Sequence, residues 1–434
     1  MMKMYVKHTC MTIGLLCLSP VNAEIVPFDP NSWEFNNEAT VTIGEYQGQS
    51  SVLSISNGIA VVTGSAFTNG TIEYDVYNSS EGVEYAGAIW HVQDLQNFEA
   101  VHTRNNRNNT PYAVHYYPFN NNIGSSQLYY GQGHNAATNL PLDQWSHVKI
   151  VISGNSGELF INDMTTPILL IENLVGGFGS GQVGLFGNYN VENTVHYANF
   201  DYQPSDTPPA LVGIPEEFVA EAGVINTWSV SEPFAAEVEL QGYELTPENR
   251  QNHTFTTLVA DRDGKTNLAR LQPMPQDQKT VFARAYVNSN VEQMKKFSIG
   301  FTGEIDLYLN GKRVYAANDT AGSRDHAFLG SSGYVDHLYL PLVPGNNEIW
   351  AAITGSSTGW GVLGKFDDMT NLAILDTPTA PVTPCAGTYD IVANQIHLPC
   401  VSIGDGSIYD VTLGQDAAGN YQLLPEATLI RAGQ

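Results

Sequence analysis

The chain of 434 residues carries 44 acidic and 18 basic side chains, a formal net charge of −26. Nucleic acid and anionic membrane surfaces both require a cationic footprint, so this balance excludes them as partners. Charged residues make up only 14% of the chain, against roughly 25% in average soluble domains, and 40 Gly, 22 Pro and 22 Tyr are what an all-β protein with many short turns uses.

The first 23 residues, MMKMYVKHTCMTIGLLCLSPVNA, have a basic head at Lys3 and Lys7, a short apolar run from Met11 to Leu18 and a small-residue end at Val21-Asn22-Ala23. This pattern predicts a secretory leader cleaved after Ala23, and with it a secreted or periplasmic protein. Cys17 follows two leucines, bulky where a lipoprotein leader needs a small residue, so a lipid anchor is disfavoured. No other stretch is long and apolar enough to predict a transmembrane helix. With the leader gone, Cys385 and Cys400 remain, and in an oxidising compartment they are expected to form a disulfide.

Residues 24–202 alternate apolar and polar positions in "TIEYDVY", "AGAIWHV", "FEAVHTR", "YAVHYY", "SQLYYG", "WSHVKIVIS", "GELFIN" and "GQVGLFGN". Strands at this spacing, separated by Asn, Gly and Ser, predict a two-sheet sandwich or jelly roll. "QPSDTPPA" at 203–210 reads as a linker. Residues 211–375 predict a second β-sandwich, with Asn310-Gly311 between two alternating runs as a tight hairpin signal. A Pro/Thr linker at 376–384 leads to a small β module, 385–434, whose core would gain from the disulfide. The fold class is all-β throughout: two jelly-roll or sandwich domains and a small C-terminal module.

At "FTNGTIEYDVY…YAGAIWHV…NFEAVHTR…WSHVKIVISGNSGELFIN…SGQVGLFGN" the first segment resembles laminin-G-like, concanavalin-type jelly rolls, and within these the bacterial group named for 3-keto-disaccharide hydrolase. The second, at "VFARAYVNS…IDLYLNGKRVY…YLPLVPGNNEIWAAITGSSTGWGVLGKFDD", is similar to galactose-binding-like jelly rolls. The first resemblance implies a fold shared by lectins, glycosidases, polysaccharide lyases and adhesion modules, and so does not by itself choose an activity.

Concanavalin-like glycosidases of family sixteen place Glu, Asp and Glu on one strand face. Here Glu73 and Asp75 take the first two positions and Tyr77 the third, which breaks the signature at the general acid. Alginate-lyase jelly rolls use Arg, Gln, His and Tyr, types that His102, Arg104, His115, Tyr117, Gln127 and Tyr129 supply without the lyase motifs. A glycan groove asks for less: aromatic rings for sugar C–H faces and planar polar groups for hydroxyls. Trp90, His102, Arg104, His115, Tyr117, Gln127 and Tyr129 would serve if their face is concave, and they equally suit half-buried strand positions. In the second segment Trp360 is either a sugar platform or a core tryptophan. Asp261, Asp263 and Asn267 in "ADRDGKTN" resemble part of a calcium loop, though a β-turn explains them. No zinc spacing and no GxSxG elbow is present. The expectation is a secreted carbohydrate-binding protein that acts on polysaccharide or glycan without catalysis and requires no cofactor, a structural calcium being the metal it leaves room for. A glycoside hydrolase or lyase at the same face is the alternative, and a protein-binding surface module the third.

Overall fold

A computed structural model describes residues 25–36, 38–187, 193–216, 218–325 and 328–375, and strand backbone within the last 50 residues. The predicted leader and Cys385 lie outside the described residues. Internal contacts divide the chain into two units, residues 1–218 with 357–359 and residues 219–356 with 360–434.

The alternating segments of the first unit form two antiparallel sheets. One runs in the order Trp33–Phe35, Gly58–Val62, Gln182–Gly187, Tyr85–Asp94, Asn97–Arg104, Val114–Asn120 and Asn135–Ala136, with Ile123–Gly124 paired to Val114–Asn120. The other runs Leu169–Ile171, Ser156–Ile161, Gln144–Ser153, Gly70–Asn78, Val195–Pro204, Gln49–Ser56 and Thr40–Tyr46. On the second sheet the period of two is clear: Ile72, Tyr74, Val76, Val148, Ile150 and Ile152 are buried in the core, while Glu73, Asp75, His147 and Lys149 alternate with them outside. The Tyr197 hydroxyl joins the two sheets. It donates to the Phe186 carbonyl at 2.5 Å and accepts the Gly87 amide at 2.6 Å. Gly87 must lack a side chain, because a Cβ there would stand 1.7 Å from the Val101 carbonyl oxygen.

The second unit repeats the principle. One sheet orders Phe255–Val259, Thr227–Ser231, Thr280–Ser289, Gly345–Thr354, Glu304–Leu309 and Lys312–Asn318, with Leu372–Leu375 also paired to Thr280–Ser289; the other orders Thr266–Asn267, Gly361–Phe366, Gln293–Phe301 and Asp336–Leu342. The predicted hairpin is present: Leu309 pairs with Lys312, and both Asn310 and Gly311 have positive φ, 51° and 85°, as a type I′ turn requires. Thr388–Asp390, Gln395–Ser402, Ile408–Gln415, Tyr421–Leu423 and Thr428–Arg431 form a further antiparallel sheet. Cys400 lies in its second strand, and the expected Cys385–Cys400 bridge falls outside the described residues. Among the described residues no helix is long and apolar enough to cross a membrane.

The inter-sheet hydroxyl gives a direct test. Tyr197→Phe keeps the ring but leaves the Gly87 amide and Phe186 carbonyl without it, and should cost about 1–3 kcal/mol. Urea unfolding followed by tryptophan fluorescence would show this; a loss under about 0.5 kcal/mol, within the ordinary scatter of neutral substitutions, would mean the pin contributes nothing.

Candidate functional site: the outer face of the second sheet

The strand Asn97–Arg104 pairs Ala100 with Tyr117 and His102 with His115, so Phe98, Ala100, His102, Arg104, His115 and Tyr117 do share one face, as the alternation predicts. That face is not an open groove. His102 has no exposed surface, His115 is 2% and Tyr117 7% exposed. The segment after Asn120 folds back over them: a Cβ on Gly124 would meet the Phe119 and Tyr117 rings at 2.8 and 3.2 Å, and the Tyr129 carbonyl accepts His115 Nε2–H at 2.6 Å. With Nε2 donating, His115 Nδ1 accepts the Arg104 guanidinium at 3.2 Å. Burial, then the Arg104 charge, holds both His102 and His115 well below the usual histidine range. The His102 ring lies 4.1 Å from Phe186 and 4.8 Å from Tyr117.

The remaining expected residues are equally enclosed. Trp90 pairs with Glu99, on the opposite face, and stacks on Tyr116 in the core at 5.9 Å. Gln127 and Tyr129 are buried. Trp360 has no exposed surface and donates Nε1–H to the Ile353 carbonyl at 3.1 Å, the core position rather than a platform. The Asp261, Asp263 and Asn267 side chains do not fit a calcium loop: Asp261 pairs with Arg270 at 2.6 Å, Asp263 with Lys265, and Asn267 accepts the Ala269 amide to cap a short helical turn. Among the described residues no three His, Cys, Asp or Glu side chains gather as a metal site.

What stays open is the outside of the second sheet, where Glu73 and Asp75 stand. Register builds it rung by rung: Trp145 opposite Tyr77 and Tyr77 opposite His196, then His147 opposite Asp75, then Lys149 opposite Glu73. Successive rungs on one face are about 7 Å apart. The first rung is an aromatic shelf, in which Tyr77, itself only 7% exposed, supports the half-buried rings of Tyr46, Trp145 and His196. Tyr46 stacks on His196 at 3.7 Å and 12°, and meets Tyr77 edge-on at 5.3 Å, while Trp145 meets Tyr77 at 5.5 Å. Trp145 is fixed by its Nε1–H bond to the Gln47 carbonyl, 3.0 Å. Burial pushes His196 down to about 4, so it is a neutral ring, with Nδ1 2.7 Å from the Ser54 hydroxyl.

The next rungs are polar. His147 Nδ1 reaches Asp75 at 2.7 Å and Nε2 reaches Glu73 at 3.1 Å; Asn199, at a bulge with φ 53°, donates to the other Asp75 oxygen at 2.6 Å. Burial alone would lower the imidazole, but the two carboxylates outweigh it and raise its pKa. The break expected at Tyr77 acquires a meaning here, since Tyr77 belongs to the shelf. Sequence reading missed Tyr46, Trp145, His147, His196 and Asn199. "WSHVKIVIS" does place Trp145, His147 and Lys149 on one strand face, but no local signal says which strand lies beside it.

Beside the shelf, consecutive amides hold two carboxylates. Ser79 N–H donates to Glu84 at 3.1 Å and Ser80 N–H to Asp143 at 2.9 Å. Glu84 is 3% exposed; burial pushes its carboxyl up to about 7, against a smaller lowering by the Ser79 amide, whereas the Ser80 contacts lower Asp143. A carboxyl raised from 4.5 to about 7 on folding stabilises the native state fully below pH 4.5 and loses that contribution as pH rises through 7. Glu84→Gln should therefore melt with the wild type near pH 4.5 and above it at pH 8, by scanning fluorimetry at both pH values. A wild-type advantage at pH 8 would refute the protonated carboxyl.

No protein-family model matches the chain, and no curated protein sequence matches it. Among solved structures it is similar to a carbohydrate-binding module from Bacillus subtilis, with TM-score 0.32 and 14% identity over 40% of this chain and 95% of that one. A Bacillus subtilis protein with a galectin-like fold gives 0.28 and 16% over 40% and 89%. The β-glucanase of Bacillus licheniformis gives 0.27 and 12% over 43% and 100%. These likenesses reach about two fifths of the chain and decide neither ligand nor activity.

Proposed function

We propose that the protein is a secreted glycan-binding protein whose first domain takes polysaccharide on the outer face of its second sheet. The observation that carries this reading is the shelf of Tyr46, Tyr77, Trp145 and His196 continuing into the Glu73–His147–Asp75–Asn199 row. Sugar C–H faces pack on aromatic rings, and hydroxyls bond to carboxylate and amide groups held in place beforehand. The side chains of His147, Glu73 and Asp75 are 40%, 33% and 17% exposed, so the row is fixed by its own bonds yet reachable by a ligand. The similar structures include a carbohydrate-binding module and a β-glucanase, and those roles belong to those proteins.

The test is retention of the purified protein on a panel of polysaccharides, with melting temperature followed in parallel. Trp145→Ala and Tyr46→Ala should each weaken retention about ten-fold, or about 1.4 kcal/mol, and shift melting by only a few degrees. Unchanged retention in both would remove the shelf from the function.

Hydrolysis is the second reading, and the Glu84–Asp143 pair favours it: one carboxyl kept protonated and one kept ionised, on neighbouring amides beside an aromatic shelf, is the division of roles that glycoside hydrolysis uses. Binding comes first because Glu84, at 3% exposure, does not reach a glycosidic oxygen. New reducing ends that appear with wild type and vanish with Glu84→Gln would reverse the order.

A further inference from the structure

In the second domain the segment after Ser231 folds back over part of the sheet that contains Thr280–Ser289. Phe234 and Leu245, with Leu240 against them, pack on Phe282, Tyr308 and Trp350. Arg284 follows Phe282 on the same face, at the margin of that cover. Its cross-strand neighbours are Trp350 on one side and Ser229 on the other, and Thr257 lies opposite Ser229 in the edge strand Phe255–Val259. Along this rung burial falls away: Trp350 is enclosed, Arg284 and Ser229 are half-buried, and Thr257 is exposed.

The Arg284 guanidinium is packed but not neutralised. It lies over the Phe255, Trp350 and Tyr286 rings at 3.9, 4.8 and 5.0 Å. Ring faces steady a cation but leave its N–H groups unbonded. Nε is buried without a partner, and among the described residues the guanidinium makes no hydrogen bond and no ion pair. The exposure that the side chain keeps therefore belongs to its terminal amino groups. Elsewhere in this domain Arg250, Arg270 and Arg313 are also half-buried, and each holds a carboxylate, at 2.5, 2.6 and 2.9 Å. Glu348, two positions from Trp350 on the same face, is taken by Arg250 and by Trp350 Nε1–H at 3.1 Å. Burial lowers the Arg284 pKa, as it does for a cation short of counter-charge, yet a guanidinium stays charged in proteins. The hydroxyls of Ser229 and Thr257 also have no hydrogen-bond partner among the described residues.

We infer that Arg284, Ser229 and Thr257 form a second ligand site, for a uronic acid residue of an acidic polysaccharide. A carboxylate takes two parallel N–H bonds from the end of a guanidinium, and it supplies the counter-charge that this arginine lacks. Neighbouring strands lie about 4.8 Å apart, so the rung from Arg284 to Thr257 spans about 10 Å, the scale of a disaccharide. Over that length the surface offers hydroxyls, which match the ring hydroxyls of a sugar and give an acidic peptide no side-chain socket. The site stands on the second domain's own residues and needs nothing from the aromatic shelf of the first.

The experiment is calorimetric titration of the full-length protein in a Trp145→Ala background, so that the shelf does not contribute. The probes are the trisaccharides of galacturonate, glucuronate and mannuronate, the neutral parent of each, and triglutamate. At least one uronate should bind ten-fold more tightly than its neutral parent. Arg284→Lys, which keeps the cation among its rings but loses the planar fork, should weaken that binding at least five-fold. Ser229→Ala and Thr257→Ala should each weaken it several-fold without moving the melting temperature. No heat from any uronate up to millimolar concentration, equal binding of the neutral parents, or undiminished binding in all three variants would overturn the proposal. Triglutamate binding as tightly as the best uronate would overturn it too, by assigning the site to acidic peptide. Its failure would leave the shelf reading intact, since that reading is tested by polysaccharide retention with Trp145 present.

Discussion

Burial of both faces of the first sheet is the constraint from which the rest of the first domain follows. A strand with no solvent side must bond its charged groups from within, because an unpaired buried charge costs several kcal/mol, whereas His102, whose two ring nitrogens have no hydrogen-bond partner, is held well below the usual histidine range by burial. Glu99, with no exposed surface, does so with the Tyr116 hydroxyl at 2.6 Å and the Gly176 amide at 2.9 Å. His115 does so by standing between Arg104 and the Tyr129 carbonyl. These bonds fasten the segments around 129 and 176 to the sheet. With both faces of that sheet occupied, the outside of the second sheet is where half-exposed aromatic and polar side chains of this domain stand.

The second domain solves the same problem less completely. Its Thr280–Ser289 strand buries Val281, Ala283, Ala285 and Val287 on one side and presents Phe282, Arg284 and Tyr286 on the other. The Arg284 guanidinium lies over Phe255 at 3.9 Å, Trp350 at 4.8 Å and Tyr286 at 5.0 Å, a cation spread on ring faces. Glu348 next to it is held by Arg250 at 2.5 Å and by Trp350 Nε1–H at 3.1 Å. The covering segment packs well where it meets Phe282 and Trp350. It leaves space where its polar residues Asn249, Asn252 and His253 face Glu232 and Glu239, and so a cavity sits at the margin of the apolar contact.

Much of the fold was legible because period-two alternation is local. It gave the strands, their faces and the all-β class, and the Asn310-Gly311 turn followed from the two positive φ values that only such a pair adopts easily. The site was less legible for a physical reason. Alternation says which residues share a face, not whether that face meets water, and "FEAVHTR" reads the same beneath a covering segment as beside a groove. Phe98 and Ala100 on the face of His102 were the local sign of burial. Pairings across the sheet are not local at all: His147 meets Asp75 across 72 positions of sequence, and that pairing, absent from either strand alone, turns two solvent-facing acids into an ordered row.

In a chain with 44 acidic and 18 basic residues, histidine serves as a counter-ion, and the two domains use it in contrasting ways. His147 has both ring nitrogens engaged by carboxylates, at 2.7 and 3.1 Å, which requires both to carry protons and leaves the imidazole nothing further to offer but its edge. His253 also stands between two carboxylates but bonds only one, at 2.8 Å, the other being 3.7 Å away. The closed arrangement makes a rigid, nearly neutralised strip suited to many weak hydroxyl contacts along an extended chain.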